Sequence, residues 1–166
     1  MAWAFMAPRS HPETGNAPLN GPSLKARAMR LLARREHSRE EMRRKLGAHL
    51  QEGDDLEGVL DDLQQRGWLS DARYAEQAIR AKSRRFGPIK LAHALRAKGV
   101  DESTIEAGFR AAGADGAANI DKVWASRFGE PPADERDKAR QVRFLQGRGF
   151  PLDDIFKFLK QFPRTP

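Results

Sequence analysis

The chain has 166 residues with 39% apolar and 32% charged residues, no cysteine, and a net charge of +7 at a pI near 10.1. The missing thiols exclude disulfides and thiolate metal sites, and no run approaches the roughly 18 apolar residues that a membrane span needs. The only early apolar stretch, within Met1–Ser10, is short and has Arg9 after it, the reverse of a secretory leader. A soluble, cytoplasmic protein with an acidic partner is expected: nucleic acid, a nucleoprotein or an acidic protein surface.

Residues 1–22, with four prolines and no periodicity, read as a disordered tail. Ser23 opens a first helix with Leu24, Ala28, Leu31 and Leu32 on one stripe. Ser38 and Glu41 form a capping box for a second, whose apolar face runs Met42, Leu46 and Leu50. Asp54 or Asp55 caps a third, with Leu56, Val59, Leu60 and Leu63, stopped at Gly67. The plan repeats. Ser70-Asp71 starts a helix through Tyr74, Ala75, Ala78 and Ile79; Gly87-Pro88 starts one carrying Leu91 and Leu95, stopped by Gly99; Asp101 caps one with Ile105 and Phe109. A third set begins with Ile120, Val123, Trp124 and Phe128 and breaks at Gly129-Glu130-Pro131-Pro132. It continues from Asp134 through Val142 and Leu145 to stops at Gly147 and Gly149, and ends in a helix opened by Pro151. No segment alternates with period two, so strands are not expected.

One spacing binds these elements together. Leu46, Leu56 and Leu60 recur as Leu95, Ile105 and Phe109, and again as Leu145, Ile155 and Leu159, offset by 49 and then 50 residues. Matched apolar positions at a fixed period mark tandem repeats. The predicted fold is all-α: three three-helix repeats at 23–69, 70–114 and 115–162. Units of this size bury little core alone and must support one another at their junctions. A second recurrence is Leu-x-x-(Arg/Lys)-Gly-apolar, at Leu63 to Trp68, Leu95 to Val100 and Leu145 to Phe150. It reads as a helix stop in which glycine supplies a positive φ and the last residue folds back into the core, which places Trp68 and Phe150 inside. The first repeat is irregular, since Gly47 to Gly53 lacks this stop after its middle helix.

No catalytic constellation appears. His11, His37, His49 and His93 are scattered, and His49 with Glu52 makes only two candidate ligands. The pairs Asp54-Asp55, Asp61-Asp62 and Asp153-Asp154 read as caps and solvated acidic helix faces. Neither a Walker loop nor a dinucleotide glycine fingerprint occurs. No catalytic residue, cofactor or metal is expected.

What remains is basic, and it alternates with acid along the chain: residues 24–50 sum to +6, 51–70 to −5, 71–100 to +6. The clusters are Arg34-Arg35, Arg43-Arg44-Lys45, Arg80-Lys82-Arg84-Arg85, Arg96-Lys98 and Arg140-Arg143, with Arg148 in the third stop motif. Repeat-spaced cations suit a periodic acidic partner, because linked weak contacts gain from effective concentration. Three-helix units could equally be helix-turn-helix DNA readers. The basic segments offer few Asn or Gln for reading base edges, which weighs against that alternative.

Three stretches resemble the RecX family of bacterial regulators of the RecA recombinase: Leu31 to Ser38 running on to Lys45-Leu46, Gly67 to Ala75, and Phe144 to Phe150 with Ile155 after it. Their order and spacing cover about residues 24–160. The resemblance implies an elongated, curved array of three-helix repeats. It implies a monomer that binds the RecA filament along its groove and inhibits recombinase, ATPase and coprotease activities, modulating DNA repair, recombination and the SOS response. It also implies no cofactor, no membrane, and a basic surface directed at the filament and the single- or double-stranded DNA within it.

Overall fold

The computed structural model describes residues 21–114 and 119–162, and among these the regular structure is entirely helical. The helices are α1 (Leu24–Leu32), α2 (Arg39–Gly47), α3 (Leu56–Gln65), α4 (Asp71–Lys82), α5 (Pro88–Arg96), α6 (Glu102–Ala112), α7 (Ile120–Ala125), α8 (Glu135–Arg148) and α9 (Leu152–Leu159). The proposed tail falls almost wholly on residues 1–20, outside the described residues.

Local chemistry starts most of them. Side chains of Ser23, Ser38, Asp55, Ser70, Asp101 and Asp134 each accept a backbone N–H in the first turn of the helix they open, filling donors that would otherwise be orphaned. Between Asp54 and Asp55, it is Asp55 that caps α3, through Gly58 N–H at 2.9 Å.

Packing is local as well. Three apolar clusters form, one within each consecutive trio of helices. The first holds Leu24, Ala28, Met42, Leu46, Leu60, Leu63 and Leu69. Ala75, Ile79, Leu91, Leu95, Val100 and Ile105 build the second. The third contains Ile120, Val123, Trp124, Leu145, Phe150, Ile155, Phe158 and Leu159. Seven of the nine residues of the ten-and-four spacing are buried; Leu56 and Phe109 are half-buried at the cluster edges. Each fully buried Leu or Ile contributes on the order of 1.5–3 kcal/mol, so the periodic positions are the main holding points of each unit.

The units meet through helix ends rather than helix faces. At the first junction the Ser38 hydroxyl accepts from Glu41 N–H (3.1 Å) and donates to the Lys98 carbonyl at the end of α5 (2.7 Å). Arg39 N–H donates to Asp71 Oδ1 at 2.7 Å, and Arg73 pairs with Glu36 at 2.9 Å. At the second junction Gly87 N–H donates to the Arg148 carbonyl (2.8 Å) and Ile89 N–H to the Gly149 carbonyl (3.0 Å). The two joints are one device used twice: the start of a unit's middle helix (Ser38, Gly87) seats on the (Lys/Arg)-Gly stop that ends the middle helix of the next unit (Lys98-Gly99, Arg148-Gly149). Both glycines adopt positive φ, +74° and +95°. A Cβ on Gly87 would lie 2.5 Å from the Gly149 carbonyl, so glycine here permits direct backbone approach. This accounts for the irregular first repeat. Among the described residues no other unit seats on the end of α2, where such a stop would serve.

Four expectations are corrected. Leu50 lies beyond the end of α2 and is 48% exposed, because the helix stops at Gly47. Trp68 is 41% exposed, with Lys25 Nζ 5.7 Å and Arg66 Cζ 5.3 Å from its ring centroid, whereas Phe150 is buried. Only Leu69, one residue further along, folds back from that turn into the first core. Gly147 is helical, and Gly149 alone ends α8. Asp61 and Asp62 are not a merely solvated face: Asp61 pairs with Arg39 (2.8 Å) and Asp62 with Lys25 (2.6 Å) and Arg66 (2.7 Å).

Candidate binding surface

The basic residues singled out in the sequence divide by what partners them. In the first unit most meet carboxylates. Arg35 makes a bidentate contact with Glu41, 2.6 and 3.1 Å, and the hydrogen-bonded guanidinium holds the buried carboxyl below its ordinary range. Arg43 binds Glu57 through two nitrogens (2.6 and 3.0 Å) and also contacts Glu40. Arg39, absent from the sequence-derived set, joins the same Glu57 at 2.6 Å. Between these two guanidinium groups, Arg43 the stronger influence, the Glu57 carboxyl is pulled down to about 2. Arg44 reaches Glu40 at 3.9 Å. The +6 of residues 24–50 therefore folds back onto the −5 of residues 51–70, with α2 laid against α3. Arg34 and Lys45 are exposed and stand apart from these pairs.

The second unit is mixed. Arg80 pairs with Glu76 (2.7 Å) and donates to the Ala111 carbonyl (3.0 Å), and Arg96 grips Glu102 with two bonds of 2.7 Å. The Lys98 backbone carries the first junction, while its ammonium acts on Glu41 across it. Lys82 and Arg84 are exposed.

Across the second junction the partners are aromatic. Phe86, half-buried, has Lys90 Nζ 4.8 Å from its centroid and the guanidinium carbons of Arg85 and Arg148 at 5.8 Å each. Arg148 lies simultaneously over Phe144 at 5.1 Å. Phe144 meets Phe128 edge-to-face, centroids 5.3 Å apart, and Arg140 sits 5.4 Å from Phe128 while pairing with Asp137 at 2.6 Å. The result is a continuous file: Lys90 and Arg85, Phe86, Arg148, Phe144, Phe128, Arg140. It exists because Arg140, Phe144 and Arg148 are spaced i, i+4, i+8 and share one face of α8, and because the Gly87–Gly149 contact brings Phe86 beside that face. Arg143, exposed, lies next to it on the same helix.

Sequence reading missed the rings of this file and Lys90. The i, i+4, i+8 signal of α8 was present in the chain; the meeting of α8 with Phe86 depends on tertiary docking and had no local signature. Among the described residues no three His, Asp or Glu side chains converge as a metal site, and no helix is long and apolar enough to cross a membrane.

Three descriptions of one family match this chain in order: the first three-helix domain of RecX over residues 25–63, the second over 70–108 and the third over 115–159. The regulatory protein RecX of Chromobacterium violaceum is 44% identical over 139 residues, covering 84% of this chain and 90% of that one. Those of Leptothrix cholodnii and of a serogroup C Neisseria meningitidis are 42% and 43% identical, each over 138 residues and 83% of this chain, covering 88% and 90% of theirs. The fold is also similar to two crystal structures. One is of a regulatory protein RecX (TM-score 0.65, 18% identity, 84% of this chain and 72% of that one). The other is of RecX from Lactobacillus salivarius (TM-score 0.64, 20% identity, 84% and 96%). With three consecutive domains matched and relatives above 40% identity along nearly their whole length, the chain belongs to the RecX family.

Proposed function

We propose that this chain is a non-enzymatic regulator that binds the RecA nucleoprotein filament and inhibits its recombinase, ATPase and coprotease activities, and thereby modulates DNA repair and recombination. The observation that carries this reading is the ordered match of all three three-helix domains to a family of regulatory proteins. The array supports it physically. Its units are joined at helix ends by hydrogen bonds to backbone carbonyls, and each unit carries exposed cationic side chains. A filament of identical subunits offers a partner with its own repeat, and each added contact raises the effective concentration of the next.

The test is a titration of the purified protein into RecA assembled on single-stranded DNA with ATP hydrolysis as the readout. The expected result is suppressed turnover at a ratio well below one per RecA subunit. Unchanged turnover at molar excess would remove the reading.

A further inference from the structure

We infer that the exposed face of α9 is an interface between two copies of this chain, paired antiparallel about a twofold axis beside Phe156. The pairing stands independently of the filament reading above.

The basis is a departure from the repeat. Stepping back by its offsets, 50 and then 49 residues, carries Phe156 onto Glu106 and Glu57, and Leu152 onto Glu102 and Gly53. Phe156 and Leu152 are 42% and 44% exposed, and the three glutamates are exposed as well. Unit one uses its glutamate to tie its last two helices together: Glu57 on α3 holds Arg39 and Arg43 of α2, each at 2.6 Å. In unit three the same offsets put Lys138 and Val142 in place of those arginines and Phe156 in place of the glutamate, so the tie is gone. Lys138 turns instead to Glu135 on its own helix, 3.5 Å away. Between the start of α8 and α9 lies an open groove of about 1200 Å³, lined by Pro132, Ala133, Phe156 and Phe162 among others. Two large apolar side chains on successive turns beside such a groove, at positions that the other units give to charge or glycine, mark a contact surface.

The charge on this face selects the occupant. The outward side of α9 and its cap carries Asp153, Phe156, Lys157 and Lys160, three and four residues apart and all exposed. Among the described residues no ion pair or side-chain hydrogen bond engages Asp153, Lys157 or Lys160. Acid stands at one end, base at the other, and an aromatic ring between them. Such a face is complementary to itself turned end for end. In an antiparallel pair the two Phe156 rings meet at the centre and Asp153 of each copy meets Lys160 of the other, because positions 153 and 160 lie equally far from a centre between 156 and 157. An isologous contact requires this self-complementarity. A uniformly acidic partner gains at Lys157 and Lys160 but is repelled at Asp153 and Glu135. The contact is small, on the order of 1,000 Å² or less, which places it in the weak class with a Kd on the order of 100 µM. The monomer implied by the family resemblance is then the dilute form.

The test is sedimentation equilibrium of the full chain from about 10 µM to about 1 mM, a range that brackets this affinity. The weight-average mass should climb from 18.7 kDa toward twice that value. Phe156→Glu gives unit three the residue that units one and two carry at this exposed position, and should hold the chain at 18.7 kDa throughout; a thermal melt checks that it folds. Asp153→Lys and Lys160→Asp should each weaken pairing about tenfold or more, since like charges then oppose. A one-to-one mixture of these two variants should pair again, because each supplies the charge that the other has lost. The inference is overturned if the wild type stays at 18.7 kDa over the whole range, if Phe156→Glu associates as the wild type does, or if the mixture gains nothing over the single variants. A monomeric wild type whose Phe156→Glu variant fails to suppress RecA turnover also overturns it, and gives the face to the filament instead. Intact pairing with no effect on RecA rejects the filament reading alone.

Discussion

Three glycines occupy one motif position and differ only in what surrounds them, which gives a graded test of how the units are joined. Gly67, Gly99 and Gly149 have φ of +70°, +74° and +95°. Alanine at any of them incurs the cost of a left-handed backbone, about 1–2 kcal/mol. A Cβ on Gly67 meets nothing within 4 Å, so the conformational cost is the whole effect there. On Gly99 the Cβ would lie 2.6 Å from Glu40 Cβ and 2.9 Å from its Cγ; a Cβ is fixed to its backbone, so the start of α2 must shift and strain the bond from Ser38 to the Lys98 carbonyl (2.7 Å). On Gly149 it would lie 2.5 Å from Lys90 Cβ and 2.7 Å from Lys90 N, at the base of α5, where only movement of the whole unit gives relief. That movement breaks the bonds Gly87 N–H to Arg148 and Ile89 N–H to Gly149, each worth about 1 kcal/mol. Gly149→Ala should therefore cost about 3–4 kcal/mol against about 1–2 for Gly67→Ala, with Gly99→Ala between them. Urea melts followed by circular dichroism at 222 nm measure this. Gly149→Ala should also split the transition, as units two and three lose their coupling. Equal losses at Gly67 and Gly149 would refute the backbone seam.

Gln141→Leu should cost about 1–3 kcal/mol, since it orphans the buried indole N–H of Trp124; a melt gives the loss, and faster exchange of that indole proton by NMR locates it. His37 is buried with Nδ1 2.9 Å from the Arg35 carbonyl; burial is the main cause that pushes its imidazole below the ordinary 6.5, opposed by that carbonyl and Glu41 and reinforced by Arg35 and Lys45. The unfolded chain then takes up the proton first, so stability should fall as pH drops through 6.5 and level only below the depressed folded value; melts of His37→Gln between pH 8 and pH 5 should show a shallower fall. Glu57→Gln should make the chain elute from a heparin column at higher salt, because Arg39 and Arg43 regain charge. That carboxyl, lowered to about 2, stays ionised well below the usual carboxylate range, so the wild type should gain no such binding between pH 7 and pH 4, while its ion pairs fail as pH falls through about 2.

The helices and their cores were legible because their causes are local. Ser38, Asp101 and Asp134 announce helix starts by the oxygen they offer, and the ten-and-four spacing of Leu46, Leu95 and Leu145 follows from helix period and repeat length. The end of α2 was misjudged because Leu50 continues the apolar stripe while the backbone stops at Gly47, and Trp68 because a residue after a stop glycine either folds back or faces solvent, a choice settled by Leu69 filling the core. Which cation meets which partner was not legible at all. Arg43 and Arg148 are both arginines in basic runs, yet one ends on Glu57 and the other on two rings, through contacts that span 14 residues in one case and a unit junction in the other.

That difference alters what the repeat is for. A sequence period of 49 to 50 residues suggests three equivalent presentations of charge. The folded chain does not deliver them. Unit one lays its basic α2 against its acidic α3 and cancels most of the charge on the spot, with Glu57 bridging two arginines. Where units two and three meet, Arg85, Lys90 and Arg148 instead lie on aromatic faces, while Arg80 and Arg96 keep carboxylate partners. The same joint that fixes one unit to the next, Gly87 against Gly149, also brings Phe86 under Arg148. Stability of the seam and presentation of its charge are thus one structural fact. A substitution that loosens the seam should lose both together, whereas one that removes an exposed arginine should lose only the second.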